Sequence, residues 1–237
     1  MQTINMKKIL AGFLIVLGVF TAPTTLVQAA IAFDASSITT THVSTGTNLV
    51  IDTCFFTTGG DTVTAVSIGG VNYAKIGSIE RPVASGRFMA QWRAIAPPTG
   101  SQTISVTGAY ALIASGSYTG ADQTTQPDTA ATTGTALAGT TLAVANTSTT
   151  DNSLLTGCFG NFNFAISAGT DTQNRADAAS GVGLYDATAL TTPAGAKTLT
   201  VTPTSADNMM GVVAHIRPVA VAATGYDNSS QMILLFE

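Results

Sequence analysis

The sequence predicts an all-β fold, a two-sheet antiparallel β-sandwich of jelly-roll-like form with an internal half-domain duplication. Three observations lead there. Charged residues make up only 9% of the 237 residues, against a typical ~25%, and Thr, Ser, Ala and Gly stand in their place. Helical periodicity is absent beyond the first thirty residues, whereas short alternating segments recur. Glycine and proline punctuate those segments at regular intervals.

The first segment reads as an export signal over residues 1–29. Lys7 and Lys8 form its positive start, and Ile9 to Phe20 is an uncharged apolar run of twelve residues, short of the ~20 that a membrane-spanning helix needs. Pro23 breaks the helix, and Val27 and Ala29 place small residues at −3 and −1 of a cleavage site before Ala30. An uncleaved anchor is the competing reading. Cleavage leaves seven Lys/Arg against thirteen Asp/Glu, a net charge of 7 − 13 = −6. That balance argues against nucleic acid as a partner, because phosphate-backbone binding relies on clustered cations.

Strands are expected at 48–56, 62–68, 71–76, 88–95, 103–107, 110–118, 140–145, 154–159, 183–187, 197–202 and 209–217. Gly69-Gly70 supplies the positive φ of a two-residue hairpin turn, and Pro97 to Gly100 a second reversal. The polar stretch 119–139 reads as the crossing between two halves. A sandwich over 30–219 and a C-terminal tail at 220–237, with a short apolar end at Met232 to Phe236, complete the plan.

The halves repeat one another. Asn48-Leu-Val-Ile-Asp-Thr-Cys54-Phe55 parallels Asn152-Ser-Leu-Leu-Thr-Gly-Cys158-Phe159 at an offset of 104, and Pro98 to Thr107 parallels Pro193 to Thr202 at an offset of 95. A strand follows in each case. Convergent strand composition is the competing account, since Thr-Val-Thr suits any exposed strand. If the halves are duplicates, Cys54 and Cys158 occupy equivalent positions near a two-fold axis, and export places them where disulfides persist. A Cys54–Cys158 disulfide is therefore expected, with two buried thiols as the alternative.

Several segments also carry a resemblance: Asn48 to Phe55, Val71-Asn-Tyr-Ala-Lys-Ile-Gly77, Trp92-Arg-Ala-Ile-Ala-Pro-Pro-Thr-Gly100, Ser117-Tyr-Thr-Gly-Ala-Asp-Gln-Thr-Thr125 and Val213-Ala-His-Ile-Arg-Pro218. In this order they resemble an uncharacterised family of secreted β-sandwich domains of environmental bacteria and phage-like contigs. The similarity spans Ala30 to Ala220. It implies a jelly-roll-like fold and extracellular life, and brings no catalytic residues with it.

Reactive constellations are sparse. His215 with Asp52 or Asp207 and a serine matches no nucleophile elbow, and a hydrogen-bonded strand histidine is the simpler reading. Past the signal, glutamate occurs only at positions 80 and 237, and Asp61, Asp122, Asp128, Asp151, Asp171, Asp177 and Asp207 read as turn formers. Calcium ligands would come from Asp122 with Asp128, or from Asp171 and Asp177 near Asn174, though neither set fits a known loop pattern. No cofactor is implied. For a ligand surface the candidates are Trp92, Arg87, Arg93 and Asp122: Trp92 with Tyr73, Tyr110 and Tyr118 as an aromatic platform, and Arg81, Arg87 and Arg93 as a basic group for an acidic glycan. The bland alternatives are a core tryptophan on the Phe88, Ala90, Trp92, Ala94 stripe and a solvated arginine surface. The expected function is an exported, non-enzymatic binding or structural module of the cell surface, adhesive in character, with a glycan or another surface protein as partner. The rivals are a carbohydrate-binding or carbohydrate-active sandwich and a filament or virion subunit.

Overall fold

The computed structural model describes residues 27–83, 85–161, 163–178 and 181–221. Most of the expected signal peptide and of the C-terminal tail lies outside the described residues. The chain is all β among them: β1 (Val27–Gln28), β2 (Ala32–Ser37), β3 (Thr41–Ser44), β4 (Val50–Thr58), β5 (Ala65–Ile68), β6 (Val71–Asn72), β7 (Ala74–Glu80), β8 (Arg87–Ile95), β9 (Gly100–Thr107) and β10 (Leu112–Thr119). Then follow β11 (Thr132–Gly139), β12 (Leu142–Thr147), β13 (Leu154–Gly160), β14 (Ile166–Ala168), β15 (Thr172–Ala178), β16 (Val182–Ala187), β17 (Ala196–Pro203), β18 (Asp207–Ile216) and β19 (Ala220–Val221).

Antiparallel sandwich packing is present, but in four sheets rather than the expected two. The first half builds a broad sheet in the order β2-β10-β4-β8-β7 and a smaller one, β3-β9-β5-β6. The second half builds β11-β18-β13-β16-β15 and β12-β17-β14. Replacing β2, β3, β4, β5, β7, β8, β9 and β10 by β11 to β18 in turn converts the first pair of orders into the second, and only β6 lacks a counterpart. Finer details coincide too. A bulge interrupts β7 between Lys75 and Gly77 and β15 between Asn174 and Ala176, at matching ladder positions. Asn48 and Asn152 both hold positive φ, 50° and 58°, where asparagine is tolerated far better than most residues.

The alternation of β4 shows how the layers stack. Val50, Cys54 and Phe56 join a core shared with Cys158, Leu184 and Val212 of the second half. Ile51 and Phe55 point the other way, into a core with Val66, Trp92 and Ile104. Each broad sheet thus packs against its own small sheet on one face and against the other broad sheet on the opposite face. A strand covered on both faces is buried along its length, and eight of the nine residues of β4 are. Cys54 and Cys158, on β4 and β13, form a disulfide between the broad sheets, with Cα atoms 5.5 Å apart. The sheets approach closely here: a Cβ on Gly116 of β10 would lie 2.6 Å from Leu184 of β16.

The Gly69-Gly70 turn forms as expected, with φ of 53° and 84° and Ile68 paired to Val71. The crossing is shorter than 119–139, because 132–139 is strand β11. Its residues alternate between half-buried and exposed, as on a sheet edge, and its Thr-Ala-Gly composition carries no apolar stripe. Asp177 lies in β15 and Asp207 begins β18, so these two are strand residues rather than turn formers.

Candidate functional site

The ordinary expectation for charge is the surface, yet the contact between the broad sheets encloses a polar cluster. Asp52 on β4 lies opposite Arg93 on β8, and both are fully buried. Arg93 meets Asp52 in a two-pronged pair, Nε to Oδ1 at 2.6 Å and Nη2 to Oδ2 at 2.8 Å. Its remaining N–H groups reach the Thr156 hydroxyl at 3.2 Å, the His215 carbonyl at 2.9 Å and the Gln126 side-chain oxygen at 3.1 Å. All five guanidinium donors are thereby used, which is what allows a charge this deep. Gln91 donates to Asp52 and Thr156, and Thr156 donates to Asp52 as well. The cluster ties the first half, the second half and the crossing together.

The expected basic group of three arginines is therefore dispersed. Arg93 is interior, with its charge satisfied by Asp52. Arg81 binds Asp207 at 2.7 Å and the Asn208 carbonyl at 3.2 Å, while Arg87 sits half-buried at the start of β8. Trp92 is buried in the first half's own core, the bland reading of its stripe, and Tyr73 and Tyr118 are buried too. An exposed aromatic platform is not what these residues form. Asp122 lies in the crossing, where Oδ1 accepts from the Thr124 amide at 2.7 Å and from the Thr125 amide at 3.2 Å. Burial acts to raise its pKa, but these bonds and that from the Thr124 hydroxyl outweigh it and hold the carboxyl below its usual value.

Both histidines are buried and bonded. His215 Nδ1 lies 3.1 Å from the Ser153 hydroxyl and Nε2 lies 3.3 Å from the Asn146 carbonyl. Ser153 donates to Ser148, and Ser148 in turn to Asp128 at 2.9 Å. Burial lowers the pKa of His215, against the opposing bond to Asn146 and the Asp128 charge. His42 Nδ1 lies 2.9 Å from Ser115, and burial lowers its pKa as well. Asp128 accepts from Ser148 and from the Thr149 amide at 2.7 Å, so it acts as a turn-holding carboxylate. Among the described residues, no group of three His, Cys, Asp or Glu is placed to hold a metal ion. Of the calcium candidates, Asp128 is engaged by the Thr149 and Thr150 hydroxyls, while Asp171 lies just before β15 and Asp177 near its far end.

An open cavity of about 210 Å3 lies where the starts of β2 and β15 meet the end of β16, lined by Phe33, Leu154, Gln173, Arg175, Thr188 and Leu190 among others. Arg175 is the extra residue of the β15 bulge, and a bulge re-aims its side chain. Its Nε donates to the buried Asp186 at 2.7 Å and its guanidinium carbon stands 4.2 Å from the Phe33 ring centroid. Burial raises the Asp186 pKa, opposed by the bond and charge of Arg175. Composition gives no hint of this place, because β2 and β15 carry too few apolar residues to be read as strands; the lone arginine at 175 is its only signal.

Comparison with known proteins finds no matching family model, no similar curated protein and no similar solved structure.

At the opposite end from the cavity, two loops and the end of β11 converge on Asp207 and Asn208. Arg81 and Asn163 bond Asp207, and the Ala138 amide bonds the Asn208 side chain at 2.8 Å. Beside these anchors stand the exposed Val83, Leu137 and Phe164. Val83 combines exposure with a φ of 73°, a strained conformation for a β-branched residue.

Proposed function

We propose that this chain is an exported, non-enzymatic binding or structural module of the cell surface, built as two matching half-domains that arose by duplication and act as one rigid body. The supporting observation is the tie between the broad sheets, where the Cys54–Cys158 disulfide and the Asp52–Arg93–Thr156 cluster join the halves at the centre. Disulfides persist in oxidising compartments, which fits the signal-like start of the sequence. No helix among the described residues is long and apolar enough to cross a membrane. The resemblance to secreted β-sandwich domains points the same way. A carbohydrate-binding role is the second reading, favoured by the Arg175 cavity.

The test is to express the whole chain with its natural start, locate it by fractionation, and assay the exported product for binding and turnover on glycans and esters. Export with binding and no turnover is the expected result. Retention in the cytoplasm, or hydrolysis abolished by Asp122→Ala or His215→Ala, overturns the reading.

A further inference from the structure

We infer that the cavity beside Arg175 is a binding site for a ring-borne carboxylate, such as a uronic acid or an aromatic acid. This rests on the binding-module reading and names its ligand chemistry.

Arg175 donates through Nε to Asp186, and no acceptor among the described residues meets its Nη1 or Nη2. The side chain keeps 23% of its exposure and lines the cavity, so that edge is open to a ligand. Two parallel N–H groups on one planar edge match the two oxygens of a carboxylate. Asp186, with no exposed surface, fixes the fork from behind, and the Phe33 ring holds its flat face. Phe33 is itself braced by Tyr118, edge-on at 5.8 Å. The fork is thus positioned before a ligand arrives, which limits the ordering cost of binding.

Size and walls define the rest of the ligand. An apolar cavity of about 150 Å3 accepts benzene, so 210 Å3 accommodates a six-membered ring and its carboxylate. Leu154 and Leu190 offer apolar walls, while Gln173 and Thr188 add polar groups at the rim. The first half shows what the scaffold looks like without this function: the equivalent bulge, between Lys75 and Gly77, carries Ile76.

The test uses the whole exported protein, with amide chemical shifts followed as galacturonate or benzoate is added, and galactose and benzyl alcohol as neutral counterparts. Either acid is expected to move the amides of Gln173, Arg175 and Thr188, while the neutral compounds leave them unmoved. Which acid binds more tightly separates a sugar source from an aromatic one. Arg175→Lys keeps the charge facing Asp186 but loses the fork, and is expected to weaken binding about tenfold or more. Ala189→Trp, at an exposed position on the rim, is expected to block the cavity without changing the melting temperature. The inference is overturned if neither acid shifts these amides, if galactose binds as well as galacturonate, or if binding survives both substitutions. Glycan binding elsewhere on the protein would sink the pocket and leave the module reading standing. Turnover of a bound acid would do the reverse.

Discussion

The two halves share a strand order and differ in where they keep their charge. In the first, Asp52 and Arg93 face each other on β4 and β8. The matching positions of the second half hold Thr156 and Asp186, and the guanidinium that answers Asp186 comes from the bulge of β15. One ion pair is consequently sealed between the broad sheets, while the other opens onto a cavity. Strand order is set by apolar alternation and small residues at close approaches, and it tolerates these exchanges. The polar groups are what make the halves different, one as a joint and the other as a candidate binding wall.

The joint itself gives the largest expected effects. The disulfide spans a sequence separation of 104, for which chain entropy predicts about 4–5 kcal/mol of stabilisation. Cys54→Ala with Cys158→Ala is expected to lower the unfolding free energy by up to that amount, read by denaturant titration. Two free thiols in the unreduced, denatured wild-type protein would refute the bridge. Arg93→Met should cost about 3–5 kcal/mol, because it strands a buried Asp52 carboxylate. Adding Asp52→Leu should restore most of the loss. If the double substitution is as unstable as the single one, the cluster is not an electrostatic joint.

Acid provides a third test. Burial lowers the pKa of both His42 and His215 from 6.5, so below that value the unfolded chain binds more protons than the folded one. Stability is then full above pH 6.5 and falls as pH drops below it. Thermal melts between pH 7 and 5 should show the decline. The second half carries Asn146 where the first has His42, and His42→Asn, which copies it, should flatten the slope. An unchanged slope would mean that His42 is not protonated on unfolding in this range.

The smallest effect is also the most direct comparison of the halves. Asn48→Ala and Asn152→Ala each place alanine at a positive φ, for about 1 kcal/mol. Equal losses by denaturant titration would support matched turns, whereas a loss in one half alone would break the equivalence.

What is legible in the sequence follows from what lies in the core. β4, β8, β10, β13 and β18 are buried on both faces and read as apolar runs, so pattern alone locates them to within two residues. The disulfide follows from the repeat around Cys54 and Cys158. β3 escapes notice because the residues it buries are His42 and Ser44, which leave no apolar stripe. β11 passes for a loop because its inward residues are threonine, glycine and alanine, and β15 because a bulge breaks its alternation. Arg93 reads as a surface charge, since the carboxylate that satisfies it lies 41 residues away and only the ladder brings the two together. The cavity needs strands that the sequence does not announce.

The Ala29 amide bonds the Val219 carbonyl at 3.1 Å, so the described ends of the body meet. The path from 29 to 219 is close to a ring, interrupted at one seam. A ring of two like parts has no natural first member. Joining 219 to 29 by a short linker and opening the crossing between Thr125 and Gln126, beside two exposed threonines, would yield a circular permutant in which β11 to β18 precede β2 to β10. The two broad and two small sheets would keep their strands, only the β1–β19 pair would be lost, and the order of synthesis would change. In such a molecule the half that presents Arg175 would leave the ribosome first, with Cys158 waiting for Cys54.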